Sequence, residues 1–149
     1  MAIVLGIVTV SVMPRFRSRW LRFQDERAAF TVAQFLRAAR SLAVTESHPM
    51  AWILNEDSHR MWIAEEHDDG STQPVPGSLG APRQLPEAVT LHALREDHAV
   101  DRIDFFPDGT AQPTTVVIGD DPAAPSYHIT VDAATGQVTV SSPALPAAT

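Results

Sequence analysis

The stretch AIVLGIVTVSVMPRF, residues 2–16, decides how the rest of the chain can fold. Its first twelve residues carry no charge, and Pro14 and Arg15 follow at once. A helix of twelve residues rises only ~18 Å against roughly 30 Å of bilayer hydrocarbon, so the run is too short to span a membrane alone. No basic residue precedes it and no A-x-A site follows it, which disfavours a cleavable signal. A buried first strand or a core helix is the alternative to a membrane segment.

An amphipathic helix is predicted over residues 15–45, because apolar residues recur there at three- and four-residue spacings. Pro49, preceded by Ser47 and His48, predicts its end. About 30 helical residues run ~45 Å, longer than a domain of the remaining residues is wide, so part of the helix must protrude or be buried by something else. We expect a kink or break at Pro14, which lacks an N–H and clashes with the carbonyl of Val10. The predicted apolar stripe comprises Phe16, Trp20, Phe23, Val32, Phe35, Leu36, Ala39, Leu42 and Ala43, with Arg22, Asp25, Glu26, Arg37 and Arg40 largely off it.

Length and charge narrow the class of protein. The 149 residues allow one globular unit plus an appendage. All 11 basic residues are Arg, and the net charge of -7 disfavours a nucleic-acid binder by bulk charge. Residues 1–40 hold seven Arg and two acids, net +5, whereas residues 41–149 hold four Arg and sixteen acids, net -12. The two parts are therefore expected to face different surroundings.

After Pro49 the apolar period changes from helical to alternating, which predicts half-buried strands in an antiparallel arrangement. Turn-forming residues separate the strands at 55–58, 107–109, 119–122 and 132–136. Residues 66–87 contain four Pro and three Gly without an apolar period, which predicts a long loop that is either functional or mobile. The seven predicted strands are 50–55, 59–64, 88–94, 101–106, 114–118, 127–131 and 137–140, and residues 143–149 are predicted to form a flexible tail.

Enzyme motifs are absent from the sequence. There is no G-x-S-x-G, P-loop, G-x-G-x-x-G or H-E-x-x-H pattern, and no Cys for thiol catalysis or thiolate zinc sites. The nearest approach to a metal cluster is 67–69, His-Asp-Asp, with His59 nearby, which is more typical of a solvated acidic turn. Trp52 and Trp62, on neighbouring predicted strands, suggest a binding platform, but packing is the commoner role of such residues. We therefore expect no catalytic residue, no metal and no cofactor.

Four segments follow one another in a recognisable order. They are the apolar run ending in Pro14-Arg15-Phe16, the helical FLRAARSLAV at 35–44, IDFFPDGT at 103–110, and YHITVD with TGQVTV at 127–132 and 135–140. This order resembles the GspH/FimT family of type IV pilin-like proteins over nearly the whole chain. L-R-x-A-R-S-x-A and F-F-P-D-G-T are together fairly specific, and the likeness is greatest to the minor pseudopilins of type II secretion.

The resemblance implies an α+β fold, in which a long N-terminal helix packs on an antiparallel β-sandwich of about seven strands. It divides the chain into a helix at 1–45, with a membrane part at 2–13 and an amphipathic part at 14–45, a periplasmic sandwich at 46–142, and the tail. The implied protein is a non-enzymatic subunit at the tip of a pseudopilus, in the bacterial inner membrane as a single-pass protein with its C-terminal domain in the periplasm. Its implied partners are other minor and major pseudopilins and inner-membrane lipid. We expect these partners to contact the free face of the helix and the 66–87 loop.

The alternative within the family is a FimT-like minor pilin of a type IV pilus, acting in assembly or DNA uptake. Neutralising phosphates needs Arg or Lys near the exposed end of the domain. No Lys or Arg follows Arg102, and Gln137 and Thr139 stand where DNA-contacting relatives carry basic residues. We therefore expect no nucleic-acid partner.

Three groups of residues are the predicted sites. Those for membrane insertion and assembly are Ile3, Val4, Leu5, Ile7, Val8, Val10, Val12 and Pro14. Those for packing of the helix on the sandwich are Phe35, Leu36, Ala39 and Leu42, and those of a hairpin motif are Phe105, Pro107, Asp108 and Gly109.

Pilin-like precursors begin with a basic leader, a processing site and a glutamate soon after it. We expect an in-frame upstream extension in the genomic DNA to supply them.

Overall fold

The computed structural model describes residues 2–119 and 127–142, with side chains of the helix described from Phe23 onward. One long helix, α1 (Ala2–Glu46), precedes two antiparallel sheets. The helix includes residues 2–13, so the alternative of a buried first strand is wrong, and it continues through Pro14 rather than breaking there. It ends at Glu46, and the next residue, Ser47, adopts a left-handed φ of 57°, two residues before Pro49.

The first sheet is formed by β1 (Met50–Asn55), β2 (Arg60–Glu66), β3 (Thr72–Pro74), β4 (Arg83–Gln84) and β7 (Arg102–Phe105). The second is formed by β5 (Leu91–Arg95), β6 (His98–Val100), β8 (Thr114–Ile118), β9 (Tyr127–Val131) and β10 (Val138–Ser141). The strand order in the first sheet is β3-β2-β1-β7, with β4 also paired to β2, and in the second it is β10-β9-β8-β5-β6. The α+β class is confirmed.

The described residues contain ten strands, so the prediction of about seven is wrong in number. The predicted bounds of β1, β8 and β9 agree with the structure, and those of β2, β5, β7 and β10 shift by one to three residues. β3 and β4 have only three and two residues, too few to show an alternating pattern. β6 forms a hairpin with β5 through Glu96 and Asp97, whose φ angles of 51° and 64° fit a tight turn without the usual glycine.

The segment from residue 66 to 87 covers the outer edge of β2. Val75 N–H donates to the Ile63 carbonyl at 3.1 Å, and Ile63 N–H donates to the Leu79 carbonyl at 2.9 Å. Val75 and Leu85 are buried in the core. The segment is thus an extension of the first sheet. Its backbone forms hydrogen bonds with N–H and C=O groups of β2 that would otherwise be exposed at an open sheet edge.

The core lies between the two sheets and under α1. Its largest fully buried side chains include Trp52, Phe105, Leu36 and Met61. Trp52 Nε1 donates to Met61 Sδ at 3.4 Å, so the indole N–H has a partner inside the core. Trp62 is paired with Ile53 in the opposite strand and lies half-buried on the other face of this sheet. The two tryptophans therefore point to opposite faces and form no common platform.

Candidate functional site

One face of α1 docks on the sandwich. Phe35, Leu36 and Ala39 are buried there, and Leu42 is half-buried against the same cluster. Small residues let the helix backbone approach the sheets closely, because they add little width between the two layers. The other buried apolar residues of this face are Ala28, Ala29, Val32, Ala33 and Ala43.

The opposite face of α1 carries two exposed aromatic rings. Phe23 is 67% exposed and Phe30 is 54% exposed. The prediction that Phe23 belongs to the docking stripe is wrong, because nine residues separate it from Val32 and nine steps of about 100° turn the helix half a revolution. Asp25 is also misplaced by the prediction, since it lies on the docking face with an exposed fraction of only 9%. The seven-residue spacing of Phe23 and Phe30 was the sequence signal for a second apolar face.

The predicted membrane residues lie outside the described side chains. These residues are Ile3, Val4, Leu5, Ile7, Val8, Val10, Val12 and Pro14, and Phe16 and Trp20 lie outside them as well. Their backbone belongs to α1, and their surroundings stay a prediction. Among the residues that the structure describes, no helix combines the length and the apolar character needed to cross a bilayer.

Two turns meet the helix at Arg40. Arg40 Nε donates to the Thr135 carbonyl at 2.8 Å, in the turn between β9 and β10. A Cβ built on Gly136 would lie 2.5 Å from the carbonyl oxygen of Gly109, which belongs to the turn after β7. One turn earlier on the helix, Arg37 Nη2 donates to the Val138 carbonyl at 3.2 Å. Two guanidinium groups therefore tie the helix to the β9–β10 turn and to β10, and the turn after β7 packs closely against Gly136.

The motif FFPDGT forms a turn between sheets. Phe105 is buried, Pro107 and Asp108 are exposed, and Gly109 is buried with a φ of 89°. A single bridge joins Phe105 to Ala111, after which β8 enters the second sheet while β7 stays in the first. The predicted hairpin is therefore wrong beyond this bridge, because β8 pairs with β5 and β9 instead of β7.

Carboxylates organise the two turns that meet the helix. Asp108 accepts hydrogen bonds from the backbone N–H and the hydroxyl of Thr110 at 3.0 and 2.6 Å. Asp132 accepts them from the N–H groups of Thr135 and Ala134 at 3.0 and 2.8 Å. These hydrogen bonds stabilise the ionised carboxylates and lower the pKa of both aspartates. Both carboxylates therefore accept hydrogen bonds within their own turns.

The 66–87 segment carries the candidate metal residues. His67 contacts the amide of Gln73 at 3.3 Å, and Asp69 accepts hydrogen bonds from the N–H and hydroxyl of Ser71, which lower the pKa of Asp69. Within residues 2–119 and 127–142, no three His, Asp or Glu side chains converge in a way that could hold a metal ion. The predicted turn at 119–122, beyond Gly119, and the predicted tail lie outside the described residues.

Comparison with solved structures shows which known proteins share this fold. The minor pseudopilin EpsH from the type II secretion system of Vibrio cholerae is 14% identical, with 83% of this chain and 99% of that chain covered and a TM-score of 0.67. The type IV minor pilin FimU of Pseudomonas aeruginosa is 18% identical, with 80% and 90% covered and a TM-score of 0.61. The solution structure of Escherichia coli GspH is 14% identical, with 84% and 92% covered and a TM-score of 0.55. The fold is therefore that of pilin-like proteins.

The family follows from the sequence itself. The family model described as type II transport protein GspH matches residues 28–136, which is well over half of the chain. The chain belongs to this GspH family, and the predicted resemblance to GspH/FimT-like proteins is confirmed. No curated protein sequence matches the chain.

Proposed function

We propose that this chain is a minor pseudopilin of a type II secretion system, a structural subunit at the tip of a short periplasmic filament that supports protein export across the outer membrane. The main support for this proposal is that helix α1 has two different apolar faces. One face is buried on the sandwich, while Phe23 and Phe30 stand 67% and 54% exposed on the other. Exposed aromatic residues at regular helical spacing favour contact with another helix. Membership of the GspH family supports the same role.

The proposed topology assigns residues 2–13 to the inner membrane, 14–45 to an amphipathic helix, 46–142 to a periplasmic sandwich and 143–149 to a flexible tail. The uncharged residues 2–13 are as compatible with lipid as with a bundle of neighbouring helices. Transfer from membrane to filament can therefore be nearly balanced in free energy, and a cytoplasmic ATPase would drive it. The subunit itself catalyses no reaction and needs no cofactor.

The test is complementation in the parent bacterium. Deletion of the gene should abolish secretion of type II exoproteins into the medium, and the full chain supplied in trans should restore it. The chain supplied in trans should sediment with inner membranes and copurify with the other pseudopilins encoded by that bacterium. Normal secretion in the deletion strain would contradict the proposal.

A second candidate, a minor pilin of a type IV pilus, is favoured by the fold shared with FimU at a TM-score of 0.61. In its DNA-uptake form it would need cations near the free end of the domain. The last Lys or Arg of the sequence is Arg102, which already pairs with Glu66 and Asp104. Filter binding with duplex DNA separates the candidates, because salt-sensitive retention by the purified chain would favour the pilus subunit. Loss of twitching or transformation on deletion, with secretion intact, would also favour it.

A further inference from the structure

A groove opens where the chain passes from the second sheet to the first. β6 pairs with β5 in the second sheet, β7 pairs with β1 in the first, and only Asp101 separates β6 from β7. The groove lies beside this crossing and has a volume of about 830 Å³. Its walls come from β1, from the turn between β1 and β2, and from β6, so both sheets contribute to it.

The backbone of Ala99 faces this groove. The N–H and C=O groups of successive strand residues point alternately to the two edges of a strand. The Asp101 carbonyl accepts a hydrogen bond from Leu54 N–H at 2.8 Å, so the backbone groups of Asp101 point toward β1. Those of Ala99, two residues earlier, point the same way, but β1 has already ended at Asn55. Ala99 is exposed, and no residue in the described part of the chain forms a hydrogen bond with its backbone on that edge.

The groove combines an apolar floor with acidic walls. Ile53 and Trp62 lie opposite each other in β1 and β2, and both are half-buried beside the groove. Asp57 and Asp101 are exposed in its walls, and neither lies within ion-pair distance of a basic side chain in the described part of the chain. Two carboxylates are therefore available to a ligand that also covers apolar surface.

The two cations of the groove already have partners inside the protein. Arg102 forms ion pairs with Glu66 and Asp104. Arg95 Nη2 donates to the Arg102 carbonyl at 3.2 Å and to the Thr114 hydroxyl at 3.3 Å. The charge that the groove offers to a ligand is therefore negative, in keeping with the net charge of -12 over residues 41–149.

We propose that this groove binds an extended segment of another protein, in which an apolar residue stands next to a basic one. The backbone of the segment pairs with the N–H and C=O of Ala99, as in strand addition to an open sheet edge. Its apolar side chain covers Ile53 and Trp62, and its basic side chain pairs with Asp101. The inference goes beyond the proposed function, because it concerns the sandwich rather than helix α1.

Side-chain directions fix the order of these residues in the partner. Ile53 lies on the same face of the first sheet as its neighbour Arg102, and Asp101 points to the opposite face. Neighbouring side chains of an extended segment also point to opposite faces, so the apolar and basic residues are adjacent in its sequence. A second copy of this chain is a poor partner, since its edge would bring Asp57 and Asp101 against the same carboxylates.

Binding of two synthetic peptides to the full chain tests the inference. The probe is acetyl-Val-Arg-Val-Arg-Val-amide, and the matched control has Glu in place of both Arg. We expect the basic peptide to bind at least about tenfold more tightly than the acidic one. Hydrogen exchange followed by NMR should show the Ala99 N–H slowed about twofold at half-saturation with the basic peptide. Equal affinities for the two peptides, or an Ala99 N–H whose exchange does not change on binding, would overturn the proposal.

Substitutions at the edge and in the wall give the second readout. Ala99→Pro removes the N–H that faces the groove and should weaken binding of the basic peptide about tenfold, whereas Ala99→Val keeps it and should bind within about twofold of the wild type. Asp101→Asn should weaken binding about fivefold, and Asp68→Asn, at an exposed acid outside the groove, should leave it unchanged. If Ala99→Pro fails to fold, Asp101→Asn and the exchange of Ala99 decide. Wild-type affinity in either Ala99→Pro or Asp101→Asn would contradict the proposed mode of binding.

Discussion

Arg40 of the helix donates a hydrogen bond through Nε to the backbone carbonyl oxygen of Thr135, 2.8 Å away. The contact leaves no room beside Gly136, where an added Cβ would lie 2.9 Å from Arg40 Nε. The helix, the turn after β7 and the turn before β10 are thus packed against one another at one point. Crowding and a φ of 67° both favour glycine at 136, whereas at Gly109 only the φ of 89° does, since an added Cβ there would meet nothing nearer than Arg40 Nη2 at 3.8 Å.

Gly136→Ala should destabilise the fold by about 2 to 4 kcal/mol, because a φ of 67° and the overlap with Gly109 and Arg40 act together. Gly70→Ala is the control, since its φ is 84° but nothing lies within 4 Å of the added Cβ. It should cost only about 1 kcal/mol. Urea unfolding followed by tryptophan fluorescence measures both, and equal losses would show that crowding at the junction is unimportant.

Phe35→Ala should lower the free energy of unfolding by about 3 to 5 kcal/mol, because it opens a cavity between helix and sheets. Phe35 is only 7% exposed, whereas Phe30 on the other face is 54% exposed. Phe30→Ala is therefore the matched control, with an expected change within about 0.5 kcal/mol. An unchanged melting temperature for Phe35→Ala would contradict the docking face described above.

The stability of the domain should fall in acid partly through Asp132. Hydrogen bonds from Thr135 and Ala134 hold its pKa below the usual 3.8. A lowered pKa in the folded state gives stabilisation that is present above the unfolded pKa and is lost as the pH falls through the folded value. Asp132→Asn keeps an acceptor oxygen but cannot be protonated in this range. The difference in urea midpoint between about pH 6 and about pH 2.5 should therefore be smaller in Asp132→Asn than in the wild type.

Arg102 forms ion pairs with two carboxylates of the first sheet. Its Nη2 lies 3.2 Å from Glu66 Oε2, and the guanidinium also pairs with Asp104, whose exposed fraction is 9%. Burial disfavours the charge, but the hydrogen bond and charge of Asp104 outweigh burial and raise the pKa of Arg102. Arg102→Met leaves the Asp104 carboxylate without its cation and should cost about 1 to 3 kcal/mol, less than for a fully buried pair.

The control for Arg102 is Arg60→Met. Arg60 is exposed and donates to Gln84 Oε1 at 3.1 Å, a neutral partner on the surface. Its replacement should change the free energy of unfolding by less than about 0.5 kcal/mol. Similar losses in the two variants would mean that the carboxylates gain nothing from Arg102.

Much of the architecture follows from local pattern. The apolar pattern in residues 50–55, 114–118 and 127–131 predicted three strands at their observed bounds. The predicted loop at 66–87 failed for the opposite reason. Its strands are two and three residues long, and long-range pairing with β2 holds them. Pairing between distant parts of the chain leaves no periodic pattern in the local sequence.

Membership of a pilin-like family, the long amphipathic helix and the change to strands after Pro49 were readable from the sequence, because they depend on hydrophobic period and on motif order. Only the tertiary structure decided that Phe23 and Phe30 face away from the sandwich. A helical period shows which residues share a face, but not which of two apolar faces a sheet will cover. That choice depends on shape, since the alanine-rich face of Ala28, Ala29 and Ala33 lets the helix backbone approach the sheets more closely than the two phenyl rings would.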